Sequence, residues 1–184
     1  KKSEFKNFLE KEFSGAKDYK IKMKWFDGVW SRFKPEIGKD RRGVTGIEKS
    51  ELISVGKKIT EIPSNFNIHK TLIKIFEKKR KMFTEEQQID WSTAEALALG
   101  TLLNDGFSVR LSGQDSGRGT FSQRHSVLRN QDNHDRYIPL QNVSKKQKKF
   151  EIIDSLLSEL GVLGFEFGYS LSEPETLVIW EAQF

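Results

Sequence analysis

The residues best suited to chemistry lie in one stretch, residues 110–131, with the sequence RLSGQDSGRGTFSQRHSVLRNQ. It combines glycines and hydroxyl side chains with four arginines, an aspartate and a histidine. A glycine-rich loop behind a strand lets its backbone approach an anion closely, while arginine and histidine supply hydrogen-bond donors and positive charge. The residues alone leave two interpretations open, an anion-binding loop and an arginine-rich surface loop. The stretch lacks the Gly-Lys-Ser/Thr ending of a P-loop, so nothing in it supports nucleotide binding.

A second candidate is Glu159, which follows Ser158, the predicted N-cap of a helix. Taken by itself, a glutamate in a first helical turn is explained by its favourable interaction with the helix dipole. Gly161, Gly164 and Gly168 lie in the same helix, where each glycine costs about 1 kcal/mol relative to alanine. This predicts close approach of another backbone or of a cofactor ring, and tight helix–helix packing explains the glycines equally well.

The elements around these residues predict an α/β fold. A capping box from Ser92 to Glu95 should begin a helix that ends at residues 104–106. Strands are expected at 107–111, 150–153 and 176–180, with a helix at 158–171. Strand, helix and strand joined by short links favour a right-handed βαβ unit in an open, mainly parallel sheet with flanking helices. In such sheets ligands bind beyond the carboxyl ends of the strands, where both candidates lie.

The first half of the chain predicts a helical linker or adaptor. Apolar residues at helical spacing indicate helices at 3–13 and 21–33, one that starts near Leu52 and ends before Pro63, and one lined by Leu72 and Phe76. The aromatics of 21–33 could stack on nucleic-acid bases, but this spacing is typical of a core. His69 is expected to cap a helix or lie on the surface. We expect one domain at 1–84 and another at 85–184.

Composition excludes some classes of protein. The chain contains no cysteine, so it has neither a disulfide framework nor a thiolate metal site, and no metal ligands are predicted. This fits a reducing, cytosolic setting. No apolar run is long enough to span a membrane. Residues 1–81 hold 22 Lys/Arg against 11 Asp/Glu, whereas the rest hold 9 against 15. A basic module that binds nucleic acid or membrane therefore stays open as a non-catalytic alternative.

Four collinear segments carry a family resemblance: IDWSTAEALALGTLLNDG (89–106), GQDSGRGTFSQRHSVL (113–128), DSLLSELGVLGFEFGYSL (154–171) and TLVIWEAQF (176–184). Together they resemble the decarboxylating first component of 2-oxoglutarate dehydrogenase, a thiamine-diphosphate enzyme. The match is strong over the second half of the chain and weaker over the first. The resemblance implies a truncated transketolase-like pyrimidine-binding domain at 85–184. Because the chain begins with Lys1 and the last segment is cut short, we expect a fragment that is inactive alone.

The resemblance also implies roles for single residues. Glu159 aligns with the glutamate that bonds the N1′ nitrogen of the cofactor's aminopyrimidine and so helps to activate the cofactor, and Phe184 begins a segment that encloses this ring. Gln123 and His125 match a variable His/Gln-Arg-His triplet and are expected to contact substrate, although many relatives carry histidine at the first position. Arg118 and Asp115 are expected to hold the shape of the loop.

The resemblance implies partners as well: a homodimer, a dihydrolipoyl succinyltransferase that receives the succinyl group on lipoamide, and the small substrate 2-oxoglutarate, with neither nucleic acid nor membrane. Magnesium, which anchors the cofactor diphosphate, would be held by a Gly-Asp motif in a domain outside this chain. Within the same family, 2-oxoadipate dehydrogenase and a simple 2-oxoglutarate decarboxylase stay open as alternatives.

Overall fold

The computed structural model describes residues 1–16, 28–34, 43–85 and 87–183 of the chain. These fall into two compact units, Lys1–Glu36 and Ile37–Phe184. Most of the predicted helix 21–33 lies outside the described residues, and so does Phe184. Among the described residues, no helix combines the length and the apolar character needed to cross a membrane.

In the described part of the first unit, residues Lys2–Ala16 form a long helix, α1, which confirms the helix expected at 3–13. A 3-10 turn, Gly28–Trp30, lies further along the chain. The apolar stripe of α1 stays open to solvent: Phe5, Phe8 and Phe13 are all more than half exposed. No residue of α1 is buried in this chain.

The second unit contains four helices where apolar periodicity predicted them: α2 (Lys49–Ile59), α3 (Lys70–Thr84), α4 (Trp91–Asn104) and α5 (Glu159–Ser172). Side chains just before α3 and α5 accept hydrogen bonds from free amides of the first turn. His69 accepts from the Thr71 N–H at 3.3 Å, and Ser158 accepts from the Gly161 N–H at 3.3 Å. Both capping roles agree with the sequence-based expectation.

The start of α4 corrects one prediction. The N-cap is Asp90 and not Ser92, because the backbone of Asp90 is extended and its Oδ1 accepts from the Thr93 N–H at 2.8 Å. Ser92 donates its hydroxyl to the same Oδ1 at 3.1 Å. The two residues are both good caps, and the helix begins behind the first of them. Glu95 is therefore free to bind elsewhere.

The described part of the second unit also contains five strands: β1 (Ser108–Gly113), β2 (Leu128–Arg129), β3 (Arg136–Tyr137), β4 (Phe150–Asp154) and β5 (Thr176–Glu181). β4, β1 and β5 form a parallel sheet in that order, with Leu111 opposite Ile152 on one side and Ile179 on the other. β2 and β3 form a short antiparallel pair. The predicted open parallel sheet is confirmed.

One hydrophobic core joins the sheet to helices from both halves of the sequence. Val55 of α2 and Phe83 of α3 pack in the same cluster as Leu103 of α4 and Val109 of β1. Helices α2 and α3 thus share their core with the sheet. The division of the chain at residues 84 and 85 stays a prediction.

A buried ion pair attaches α5 to the middle of the sheet. Arg110 of β1 donates from Nε and Nη2 to the two carboxylate oxygens of Glu166, at 2.7 and 3.0 Å. The hydroxyl of Ser112 donates to Glu166 Oε1 at 2.8 Å, and Tyr169 covers the guanidinium with its ring centroid 4.6 Å away. Glu166 lies two helical turns after Glu159, so both residues are on the same face of α5. The Arg110–Glu166 ion pair therefore turns the face that carries Glu159 towards the sheet.

Candidate active site

The topology of the sheet puts a switch point at the carboxyl ends of β1 and β5, the place that we call the crevice. From the central strand β1 the chain moves first to β4 on one side and then, through α5, to β5 on the other. In open α/β sheets, ligands bind at the carboxyl ends of the strands, at the point where the connections run to opposite sides of the sheet. The last residues of the two strands, Gly113 and Glu181, are paired there. A Cβ atom on Gly113 would lie 2.5 Å from the carbonyl oxygen of Glu181, so only glycine allows this approach.

The loop behind β1 is held by its own backbone. The amides of Arg124 and His125 both donate to the carbonyl oxygen of Arg118 at 3.0 Å, and the Ser126 amide donates to Gly117 at 2.8 Å. The Gly117 amide donates in turn to Asp154 Oδ1, at the end of β4, at 2.8 Å. These hydrogen bonds therefore give the loop a defined backbone conformation at the crevice.

Arg124 is the central side chain of the loop and is 8% exposed. It donates from Nε and Nη2 to Glu95 of α4, at 2.6 and 3.1 Å, and from Nη1 to the Ser116 carbonyl oxygen at 2.8 Å. The same Nη1 contacts the carboxylate of Glu181 at the end of β5. Burial opposes the charge, but the hydrogen bonds to Glu95 and Glu181 outweigh it and hold the pKa of Arg124 above its ordinary value.

Gln123 and His125 flank this arginine and are both half-buried. The side-chain oxygen of Gln123 accepts from the Phe121 amide at 2.9 Å. His125 has a left-handed backbone with φ of 50°. Its pKa lies below the ordinary 6.5 because the ring is partly buried and the ammonium of Lys79 is nearby. At neutral pH His125 is therefore uncharged, able to donate from one ring nitrogen and accept at the other.

Lys79 of α3 lies under the same loop and was not singled out from the sequence. Its buried ammonium points at the carbonyl oxygens of Gln123 and Arg124, with Nζ 3.4 and 3.5 Å away. Burial lowers the pKa of Lys79. A helix from the half of the sequence read as an adaptor thus supplies positive charge beneath the loop.

Arg118 and Asp115 form an ion pair on the outer side of the loop, where Arg118 Nη1 also donates to Ser122 Oγ at 2.7 Å. Both partners are within four residues of Arg118, so the contacts are internal to the loop. This agrees with the predicted role of holding its shape.

Glu159 is the first residue of α5 and is half-buried. Its Oε1 accepts from the backbone N–H of Gln183, two residues beyond the end of β5, at 2.9 Å. Within the described part of the chain, Oε2 has no hydrogen-bond partner. One oxygen therefore fixes the carboxylate at the crevice, and the other can take a further donor.

The opposite face of α5 is apolar and open. Leu160, Phe167 and Leu171 are each more than half exposed. A Cβ atom added to Gly164 or Gly168 would meet no atom within 4 Å. Packing inside the described chain thus does not explain Gly164 and Gly168, and another backbone has room to approach them.

The structure relates the predicted residues in an unequal way. Gln123 and His125 lie in one loop, and Glu159 lies in α5. Contacts made by Arg124, Glu181 and Gln183 connect the two. From the sequence, Arg124 matches the family triplet without a role of its own, and neither Glu95 nor Glu181 is predicted to bind it. Their signals are ambiguous: an arginine inside the triplet, a glutamate at the spacing of a capping box, and an acidic residue after an apolar strand.

Comparisons with known proteins fit this geometry. The family model of the transketolase pyrimidine-binding domain matches residues 87–184, which contain the sheet, the loop and α5. The chain belongs to this family. The roles of the individual site residues are not decided by that match and stay proposals.

Bacterial proteins named 2-oxoglutarate dehydrogenase E1 component are similar over the whole chain. Those of Rickettsia felis and Rickettsia conorii are both 50% identical and match 100% of this chain, and that of Brucella anthropi is 47% identical over 100% of it. The matched region makes up 18%, 20% and 19% of these three relatives. The chain thus spans about a fifth of the length of the relatives it matches.

Proposed function

We propose that this chain is the pyrimidine-binding segment of a thiamine-diphosphate-dependent 2-oxoglutarate dehydrogenase, a fragment that is inactive alone. The observation that carries the proposal is the position of Glu159, a half-buried carboxylate at a helix start beside the crevice of the sheet. Identity of 50% along the whole chain to proteins named as E1 components supports it. The bacterial cytoplasm is the setting we propose.

The donor set fits thiamine diphosphate. Glu159 Oε1 is fixed by the Gln183 amide, while Oε2 is available to a pyrimidine nitrogen. Thiamine diphosphate, when bound, supplies the nucleophilic carbon that decarboxylation of a 2-oxo acid needs and that no side chain offers. Glu159 would hold or release a proton at the pyrimidine nitrogen, as a positioned general acid or base. Phe184 would close over the ring, and magnesium would be held by another domain of the whole enzyme.

The loop fits a substrate with two carboxylates. Gln123 offers an amide donor that does not titrate, and His125 is neutral at pH 7 because its pKa is lowered. The ammonium of Lys79 adds positive charge beneath them, which favours an anion at the mouth of the loop. We assign substrate contact to Gln123 and His125, with 2-oxoglutarate as the substrate.

Partners follow from the whole enzyme and from α5. The open glycine and leucine face of this helix suits a second copy of the chain, because small residues let two backbones approach closely. A homodimer is therefore proposed, in which the cofactor lies between subunits. The succinyl product would pass to lipoamide on the succinyltransferase component.

The test is Glu159→Gln in the full-length protein that contains this segment. Glutamine keeps the shape and the bond to Gln183 but cannot exchange a proton in the same way, so kcat for decarboxylation of 2-oxoglutarate should fall by a factor of about 100 or more. Carbon dioxide release with thiamine diphosphate and Mg²⁺ measures it. A kcat within three-fold of wild type would remove Glu159 from the mechanism.

The same assay separates the specificities of the family. If the wild-type protein uses 2-oxoadipate with a higher kcat/KM than 2-oxoglutarate, it is the adipate enzyme. If carbon dioxide is released but no succinyl group reaches lipoamide, it is a simple decarboxylase.

A further inference from the structure

We propose that Arg124 and Glu181 form a positioning link that sets the substrate loop and the carboxylate of Glu159 relative to each other. The inference rests on the proposed function. It gives Arg124, the middle residue of the triplet, a role different from substrate contact.

Arg124 has the right chemistry to bind a substrate carboxylate, but its donors are used by the protein. Glu95 takes Nε and Nη2 as a fork, while the Ser116 carbonyl oxygen and Glu181 share Nη1. The guanidinium is planar with five N–H groups, and these contacts occupy four of them. A buried arginine held in this way acts through the geometry of its partners.

The path from Arg124 to Glu159 is short. Glu181 is the last residue of β5 and is paired in the sheet with Gly113. Gln183 follows two residues later, a span of about 7 Å if the backbone is extended. Its N–H donates to Glu159 Oε1 at 2.9 Å. The end of β5 therefore contacts the loop through one side chain and Glu159 through one amide.

Gln123 and His125 are the neighbours of Arg124 in the chain. The backbone of Arg124 is bonded to Arg118, and its carbonyl oxygen faces Lys79. A displacement of Arg124 would reach both neighbours through this shared backbone. A 1 Å displacement of positioning groups is enough to cost about 100-fold in rate. The Arg124–Glu181 contact therefore links the loop that carries the substrate donors to the end of β5, which holds the cofactor carboxylate.

The test compares two loop arginines in the full-length protein. Arg124→Lys keeps the charge but removes the fork, whereas Arg118→Lys changes an arginine that pairs only inside the loop with Asp115 and Ser122. Two readouts report on the Glu159 end: the Kd of thiamine diphosphate with Mg²⁺, and hydrogen exchange of the peptide that contains Gln183. For Arg124→Lys we expect Kd to rise about ten-fold and exchange to accelerate, together with a higher KM for 2-oxoglutarate. For Arg118→Lys, Kd and exchange should stay within two-fold.

The outcomes are separable from a purely structural role and from the proposed function. A structural role would lower thermal stability without faster exchange at Gln183 below the melting transition. Should Arg124→Lys not fold, Glu181→Gln makes the same comparison with a smaller change of charge and shape. Wild-type Kd and wild-type exchange at Gln183 in a folded variant would overturn the link. If the wild-type protein binds no thiamine diphosphate, the proposed function fails, and the exchange readout still decides the link.

Discussion

Two arginines of the second unit are equally buried, each 8% exposed and each between two glutamates, yet they lie in different kinds of structure. Arg110 is in the central strand, and the side chain of its main partner Glu166 is only 5% exposed. Arg124 is in a loop, and the side chain of its partner Glu95 is 40% exposed. The contrast indicates that the first cluster holds helix to sheet, while the second arranges the crevice at some distance from the core.

The pKa directions agree with this difference. Both guanidinium groups have a pKa above the ordinary value. For Arg110 the leading cause is the hydrogen bond that it donates to Glu166, whereas for Arg124 burial is the largest influence and opposes the charge. The hydrogen bonds and charges of Glu95 and Glu181 offset this cost of burial at Arg124.

The largest expected effect is on stability at Glu166. Glu166→Ala leaves Arg110 buried with only Glu151, at 3.3 Å, and removes the acceptor of Ser112. Breaking a buried pair in this way should cost about 3 kcal/mol of unfolding free energy. The matched change Glu95→Ala in the other cluster removes a partner that water can replace, so it should cost about 1 kcal/mol or less. Urea unfolding of both variants measures the two losses of unfolding free energy. Equal losses would refute the proposed difference between the Arg110 and Arg124 clusters.

The sequence predicted the framework well because the framework depends on local patterns. Apolar alternation, the turn at residues 104–106 and the cap at Ser158 each involve neighbours in the chain, and the sheet followed from them. The two ion clusters were not predictable in the same way. Arg110 and Glu166 are separated by 56 residues, and Arg124 and Glu181 by 57, so only the fold brings them together.

In the candidate site, too, contacts between residues far apart in the sequence were not predicted. Glu159 was found through a local signal and a resemblance, and its contact with Gln183 depends on how β5 ends. Glu95 was assigned to a capping box because the spacing from Ser92 fits one, but Asp90 takes the cap and Glu95 binds Arg124. A pattern that satisfies a local rule can thus hide a long-range partner.

A pH effect should separate the two clusters further. The pKa of His125 beside Arg124 is lowered by burial and then by Lys79, so the folded protein binds this proton less readily than the unfolded chain does. Stability is then fully present above pH 6.5 and is lost as the pH falls from 6.5 through the folded pKa. His125→Gln should flatten this part of the stability profile. His134→Gln, a change at another histidine with a left-handed backbone, is the control. An unchanged slope in His125→Gln would contradict the assignment.

The smallest expected effect concerns the helix that supplies Glu95. Asp90→Ala removes the acceptor of the Thr93 amide and should destabilise the protein by about 1 kcal/mol at pH 7, while Asp90→Asn should retain most of the cap. Burial raises the pKa of Asp90, but its bonds to Thr93 and Ser92 outweigh this and place it below the ordinary 3.8. The difference in stability between the alanine and wild-type proteins should therefore persist above pH 4 and shrink as the pH falls below 3.8.

Asp90→Ala should also affect the loop, because α4 begins one turn before Glu95. We expect slightly faster hydrogen exchange of the peptide that contains Arg124. Fraying confined to α4, with loop exchange unchanged, would show that Arg124 is held by Glu181 and Ser116 alone.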